Sequence, residues 1–172
     1  MTAPASEIVA LAVLVAALLG AAISDIRRYL IPNRYSIAIV LAYLVYATSH
    51  PFDQSLWGLA TGVVAFVLSA ILFAAGIFGG GDAKLFAATA LWAGPPLAPA
   101  LLIYTVLAGG VIALAWLTPF RRLMPAAPQI AQSNADAGSA PTGLRSRLRE
   151  PTPYGAAIAM GGLYVAALRA LN

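Results

Sequence analysis

The chain contains no cysteine, a single histidine (His50) and few charges of either sign, ten Lys and Arg against six Asp and Glu. Without cysteine there can be no disulfide framework, thiolate metal site or cysteine nucleophile. One histidine leaves little material for Ser/His catalysis or a His-rich metal centre, so neither a metal nor any other cofactor is expected. Charged residues make up only 9% of the 172 positions, against 61% apolar, and the mean hydropathy is +0.85. A water-soluble domain of this length needs more charge to stay dispersed. The net charge is +4, but the Lys and Arg positions form no basic face with interleaved aromatics, so nucleic acid is not an expected partner. The basic residues instead follow the ends of apolar runs, as membrane topology dictates.

Six apolar runs stand between the polar segments: Ile8 to Ile23, Tyr35 to Thr48, Leu56 to Phe78, Asp82 to Ala93, Leu97 to Leu117 and Tyr154 to Leu171. They predict an all-α, polytopic membrane protein of about six transmembrane helices, with the lipid bilayer as its solvent. A cleaved signal peptide is the competing reading of the first run, but the residues before it include Glu7 and no Lys or Arg, the wrong charge for such a leader. Gly58 and Gly62, and again Gly76 and Gly80, stand four apart, a spacing that lets helix backbones approach closely in lipid. Small residues scattered along an Ala/Gly-rich helix would read the same way. The chain is expected to be a single membrane domain, 1–172, with a Pro/Ala/Ser-rich flexible cytoplasmic loop at about 121–153.

With the N-terminus outside, Arg27, Arg28, Arg34, Lys84, Arg121, Arg122, Arg145, Arg147 and Arg149 fall on the cytoplasmic side, and only Arg169 falls outside. The asymmetry requires the short segment from Asp82 to Ala93 to cross. The same topology brings Asp25, at the end of the first run, and Asp82, at the start of the fourth, to one face.

Four of the acidic residues (Glu7, Asp53, Asp136, Glu150) lie in tails or loops where a solvated charge needs no explanation. Asp25 and Asp82 lie where apolar runs meet polar turns, and an ionisable group at the edge of a membrane span is a functional candidate. Singly, Asp25 could bridge to Arg27, Arg28 or a lipid headgroup, and Asp82 could be a helix N-cap. Together they supply the pair that aspartic proteolysis uses: like charges in close approach cannot both ionise, so one carboxyl keeps its proton while the other acts as base. The three glycines of Gly79-Gly80-Gly81 clear side-chain bulk from beside Asp82. A phosphate-cradling loop would need Gly-Lys-Ser/Thr, and here Asp82 and Ala83 separate glycine from Lys84. Two rival readings use the same carboxylates: a small proton- or cation-coupled transporter component, or a non-catalytic assembly subunit.

Gly79-Gly80-Gly81-Asp82 resembles the GxGD signature of intramembrane aspartic proteases. Asp25-Ile26-Arg27-Arg28-Tyr29-Leu30-Ile31-Pro32-Asn33 resembles the other hallmark of type IV prepilin peptidases, an Asp followed shortly by Ile-Pro-Asn. Pro153-Tyr154-Gly155-Ala156-Ala157-Ile158-Ala159 resembles the block that opens the last span in compact members. The resemblance implies a membrane aspartic endopeptidase of the bacterial inner membrane that removes the leader from prepilin or pseudopilin substrates at the cytoplasmic face. Asp25 and Asp82 would be its catalytic pair, with Gly79 and Gly81 shaping the backbone beside the second aspartate. The large members that also N-methylate their products carry an extra region with paired cysteines, absent here, so the chain is more similar to the compact CpaA/TadV-like members that process Flp-type pilins. Because basic residues crowd the expected cytoplasmic side, recognition is expected to rest on the substrate's apolar segment docking between spans, with the leader's charge held at the lipid surface.

Overall fold

The structure is a computed structural model that describes residues 4–117 and 154–171. The described residues form five helices: α1 (Ala5–Arg28), α2 (Asn33–Ala47), α3 (Phe52–Ala74), α4 (Gly80–Leu117) and α5 (Tyr154–Leu171). The expected flexible loop at about 121–153 lies outside the described residues. α1, α2 and α3 each start directly after a proline, Pro4, Pro32 and Pro51, whose ring holds the extended entry backbone seen there. α1 stops where Tyr29 turns into the left-handed region (φ 50°) and its N–H reaches back to the carbonyl of Asp25. α3 ends in a Schellman turn: Gly76 takes φ 72°, its N–H bonds to the carbonyl of Phe73, and the N–H of Ile77 bonds to that of Leu72.

That turn corrects the third apolar run, expected to continue to Phe78. α3 ends at Ala74 because Gly76 closes it, and Gly76 and Gly80 lie on opposite sides of the turn rather than on one packing face. Gly58 and Gly62 do permit close approach. A Cβ on Gly62 would lie 2.7 Å from Leu91 Cγ, and one on Gly58 would lie 2.8 Å from the Leu91 carbonyl.

α4 is two helices on either side of Gly94, which has φ 58° and ψ −178° and is followed by Pro95 and Pro96. The contacts of α5 fix their directions. On the second arm, Gly109 lies beside Tyr154, Leu101 and Thr105 beside Gly161, and Gly94 beside Arg169, so the two run antiparallel. On the first arm, Thr89 lies beside Gly162 and the Trp92 carbonyl bonds to Arg169, so these run parallel. The arms of α4 therefore form a hairpin, and Asp82 stands at the Tyr154 end of the bundle. Leu14 and Leu18 of α1, Ile39 of α2, Leu85, Trp92 and Leu101 of α4, and Ile158 and Val165 of α5 form its buried centre. The outer faces carry Val64, Val67 and Ile71 exposed, as lipid requires.

Four of the five helices, α1, α3, α4 and α5, are long and apolar enough to cross a membrane. About six spans were expected. α2 and the first arm of α4, each only about 22 Å long at 1.5 Å per residue, fall short of a bilayer's hydrocarbon core of about 30 Å.

At the end away from Asp25, Arg169 closes the break in α4. Its Nε donates to the Trp92 carbonyl (3.0 Å) and its Nη2 to that of Ala93 (3.3 Å), satisfying acceptors that the end of the first arm would otherwise leave open. Arg169→Leu strands these carbonyls and is expected to cost about 1–3 kcal/mol. It should lower the thermal unfolding midpoint in detergent by several degrees, with Arg169→Lys falling between it and the wild type; a wild-type midpoint for Arg169→Leu would refute this role.

Candidate active site

Asp25 lies in the last turn of α1, and its residue is only 5% exposed. Its carboxylate faces the N-terminus of α5, where Oδ2 accepts the Ala156 N–H at 3.1 Å and the Gly155 backbone lies alongside. First-turn donors have no partner inside their own helix, and the positive end of the helix dipole favours an anion there. The alternative role for Asp25, bridging to Arg27 or Arg28, is not what the geometry shows: among the described residues no cation lies within ion-pair distance of it.

Asp82 is the third residue of α4 and half-buried. Expected as one of a catalytic pair or, taken alone, as an N-cap, it stands within the first turn with Oδ2 turned back toward Gly79, the residue preceding the helix. A Cβ on Gly79 would lie 2.6 Å from Asp82 Oδ2, so a side chain there would displace the carboxylate. Gly81 faces the other way, where its Cβ would lie 3.1 Å from Ile31 Cβ. The two glycines thus have separate duties, one admitting the carboxylate and the other seating the helix on the turn after α1.

Both carboxylates line one cavity of about 440 Å³, bounded by the Tyr29-to-Asn33 turn and by Gly79, Gly80 and Gly81. They are near enough for the charge on Asp25 to act on Asp82. Arg27, Arg28, Arg34 and Lys84 stand at the same end of the bundle; the other basic residues expected there, between Arg121 and Arg149, lie outside the described residues. Among the described residues no group of three His, Asp or Glu side chains gathers at this cavity or elsewhere. Two carboxyl groups in a partly enclosed, low-dielectric space, with room for a peptide segment and water, can divide one proton between them and so supply an acid and a base together.

A family model, the type IV leader peptidase family, matches residues 12–114, more than half of the chain. The chain belongs to the type IV leader peptidase family. Neither a curated protein nor a solved structure gives a significant match. The matched region of this leader peptidase family member contains both aspartates but stops before α5, so the amide that holds Asp25 comes from a segment beyond it. Ile31, Gly155 and Ala156 are the site residues to which sequence reasoning gave no role. The Ile-Pro-Asn and Pro-Tyr-Gly-Ala blocks flagged their positions, but nothing in either block says that the two meet.

They meet without space between them. A Cβ on Gly155 would overlap Ile31 Cδ1 and lie 2.9 Å from Asp25 Oδ2. Gly155→Ala is therefore expected to destabilise the protein partly through Ile31, and Ile31→Val, which removes the colliding methyl, should recover part of that loss. In unfolding measurements the double variant should cost about 0.5–1 kcal/mol less than the sum of the single variants; strict additivity would mean that the contact does not exist.

Proposed function

We propose that this protein is a membrane aspartic endopeptidase that removes the leader peptide of prepilin substrates, of the Flp type, at the cytoplasmic face of the bacterial inner membrane. The observation that carries the reading is the shared cavity: two carboxylates far apart in sequence line one space, and both lie within the region that matches the leader peptidase family. In the proposed reaction the ionised member of the pair takes a proton from water, and the resulting hydroxide attacks the scissile carbonyl carbon. The protonated member hydrogen-bonds the carbonyl oxygen and stabilises the tetrahedral intermediate as charge develops. Collapse of the intermediate breaks the C–N bond as a carboxyl returns a proton to the leaving amine, and no covalent acyl-enzyme forms.

The cytoplasmic placement rests on charge. With the N-terminus outside, and with α2 and the first arm of α4 crossing as short spans to which the bilayer thins, the chain crosses six times and every Lys and Arg except Arg169 falls on the side of the aspartates. The resemblance to compact family members, and the absence of cysteine, favour a peptidase without N-methyltransferase activity. A transporter would use acids at mid-depth of the bilayer, whereas these two lie in the last turn of α1 and the first of α4.

Co-expression with a Flp-type prepilin tests the reading by gel mobility. Asp25→Asn and Asp82→Asn preserve shape while removing the ionisable groups, and each is expected to lower processing by at least about a hundredfold without reducing the amount of enzyme in the membrane. Normal processing by either variant would exclude the mechanism.

A further inference from the structure

A second concavity, of about 530 Å³, opens sideways between α2 and α3. Its walls are Ile37 and Val40 of α2 and Val63 and Phe66 of α3, and its floor is Ala87 and Leu91 on the first arm of α4. The groove exists because α2 and α3 are bonded to each other only beside the turn that joins them, where Tyr43 Oη donates to the Ser55 carbonyl (2.7 Å) and Ser55 Oγ to that of Ala47 (3.4 Å). Beyond the turn α2 packs on α1 and on the first arm of α4, and α3 packs on α4, leaving a groove between them. From Lys84 to Leu91 the floor runs about 10 Å, at 1.5 Å per residue.

The open end of the groove has a polar lip, Lys84 Nζ donating to Asn33 Oδ1 at 3.1 Å. Asn33 lines both this groove and the cavity that holds Asp25 and Asp82. A chain leaving the groove at its polar end therefore enters the aspartate cavity directly. The groove suits a helix for two further reasons. Its interior is apolar but concave, so flexible lipid tails make poorer dispersion contacts there than a fitted solid would. The floor residues Ala87 and Ala88 are small, so a partner helix can seat close to the first arm of α4.

We propose that the groove between α2 and α3 docks the apolar transmembrane helix of the substrate, whose polar N-terminal extension passes over Asn33 and Lys84 to place the scissile bond between Asp25 and Asp82. This rests on the endopeptidase reading above and adds to it the side from which substrate enters.

The absence of native cysteine makes the test direct. Val40→Cys, Val63→Cys and, on the outer face of α1, Leu19→Cys are each placed in an enzyme carrying Asp82→Asn, so that binding is scored without turnover. Each is co-expressed with a Flp-type prepilin bearing one cysteine in its apolar segment, and thiol crosslinking is carried out in the membrane. Crosslinks at positions 40 and 63 should exceed those at 19 at least tenfold. In the cleaving enzyme, Val40→Trp and Val63→Trp should raise KM for the full-length substrate at least tenfold with little change in kcat, and Leu19→Trp should change neither. Equal crosslinking at all three positions, or preference for 19, overturns the proposal, as does a KM that follows the anionic lipid content of the membrane in place of groove filling, which would make a lipid the occupant. A wild-type enzyme that fails to cut would sink the endopeptidase reading, while the crosslinks would still report where the helix sits. Normal cutting with uniform crosslinks would sink the groove alone.

Discussion

The geometry of the site is organised around one interaction, the buried carboxylate of Asp25 set against the Ala156 amide at the N-terminus of α5. Each partner is costly alone. A carboxylate removed from water needs donors, and the first-turn N–H groups of a helix entering a membrane protein need acceptors. Meeting, they satisfy one another, and hydrogen bonds to a charged group contribute about 1.5–3 kcal/mol each. The contact joins the first helix to the last across 131 residues. It also accounts for the lack of a side chain at Gly155, which would intrude on both the carboxylate and Ile31, and for Ile31 itself, wedged between Gly155 and Gly81. Through that one isoleucine, the turn after α1, the start of α4 and the start of α5 are held in a single arrangement around the cavity.

The position of Asp82 is set from the opposite end of the molecule. Were α4 one straight rod of 38 residues, it would be about 57 Å long, and its two ends could not both pack along α5. Gly94 adopts a backbone that most residues avoid, two prolines follow to prevent helix from resuming through the break, and Arg169 takes up the freed carbonyls. The chain doubles back, and Asp82 stands beside the N-terminus of α5 and hence beside Asp25. The Schellman turn after α3 completes the placement by delivering Gly79 to the head of the first arm.

Much of this was legible in the sequence because charge is so scarce in it. In a chain this apolar, Asp25 and Asp82 stand out by position alone, and the glycines beside Asp82 mark a close approach. The less legible features depend on contacts between distant segments. Gly76 and Gly80 share the four-residue spacing of a packing motif but flank a turn, since spacing cannot tell a helix interior from its left-handed terminus. Asp82 was placed at a helix start, yet whether it stands before the helix or within its first turn depends on a boundary set by Gly79. The pairing of Gly155 and Ala156 with Asp25 left no periodic or compositional trace, and neither did the groove between α2 and α3, which are bonded to each other beside the turn that joins them.

The meeting of the two carboxylates at one cavity is most directly tested in the membrane with Asp25→Cys and Asp82→Cys combined, the only thiols in the chain, and a short bifunctional thiol reagent. Efficient intramolecular bridging is expected without substrate, and none when Asp25→Cys is paired with His50→Cys at the far end of the bundle. If both thiols of the Asp25/Asp82 pair react singly with the reagent yet are never bridged, the aspartates do not share a cavity, and the account of the site is wrong.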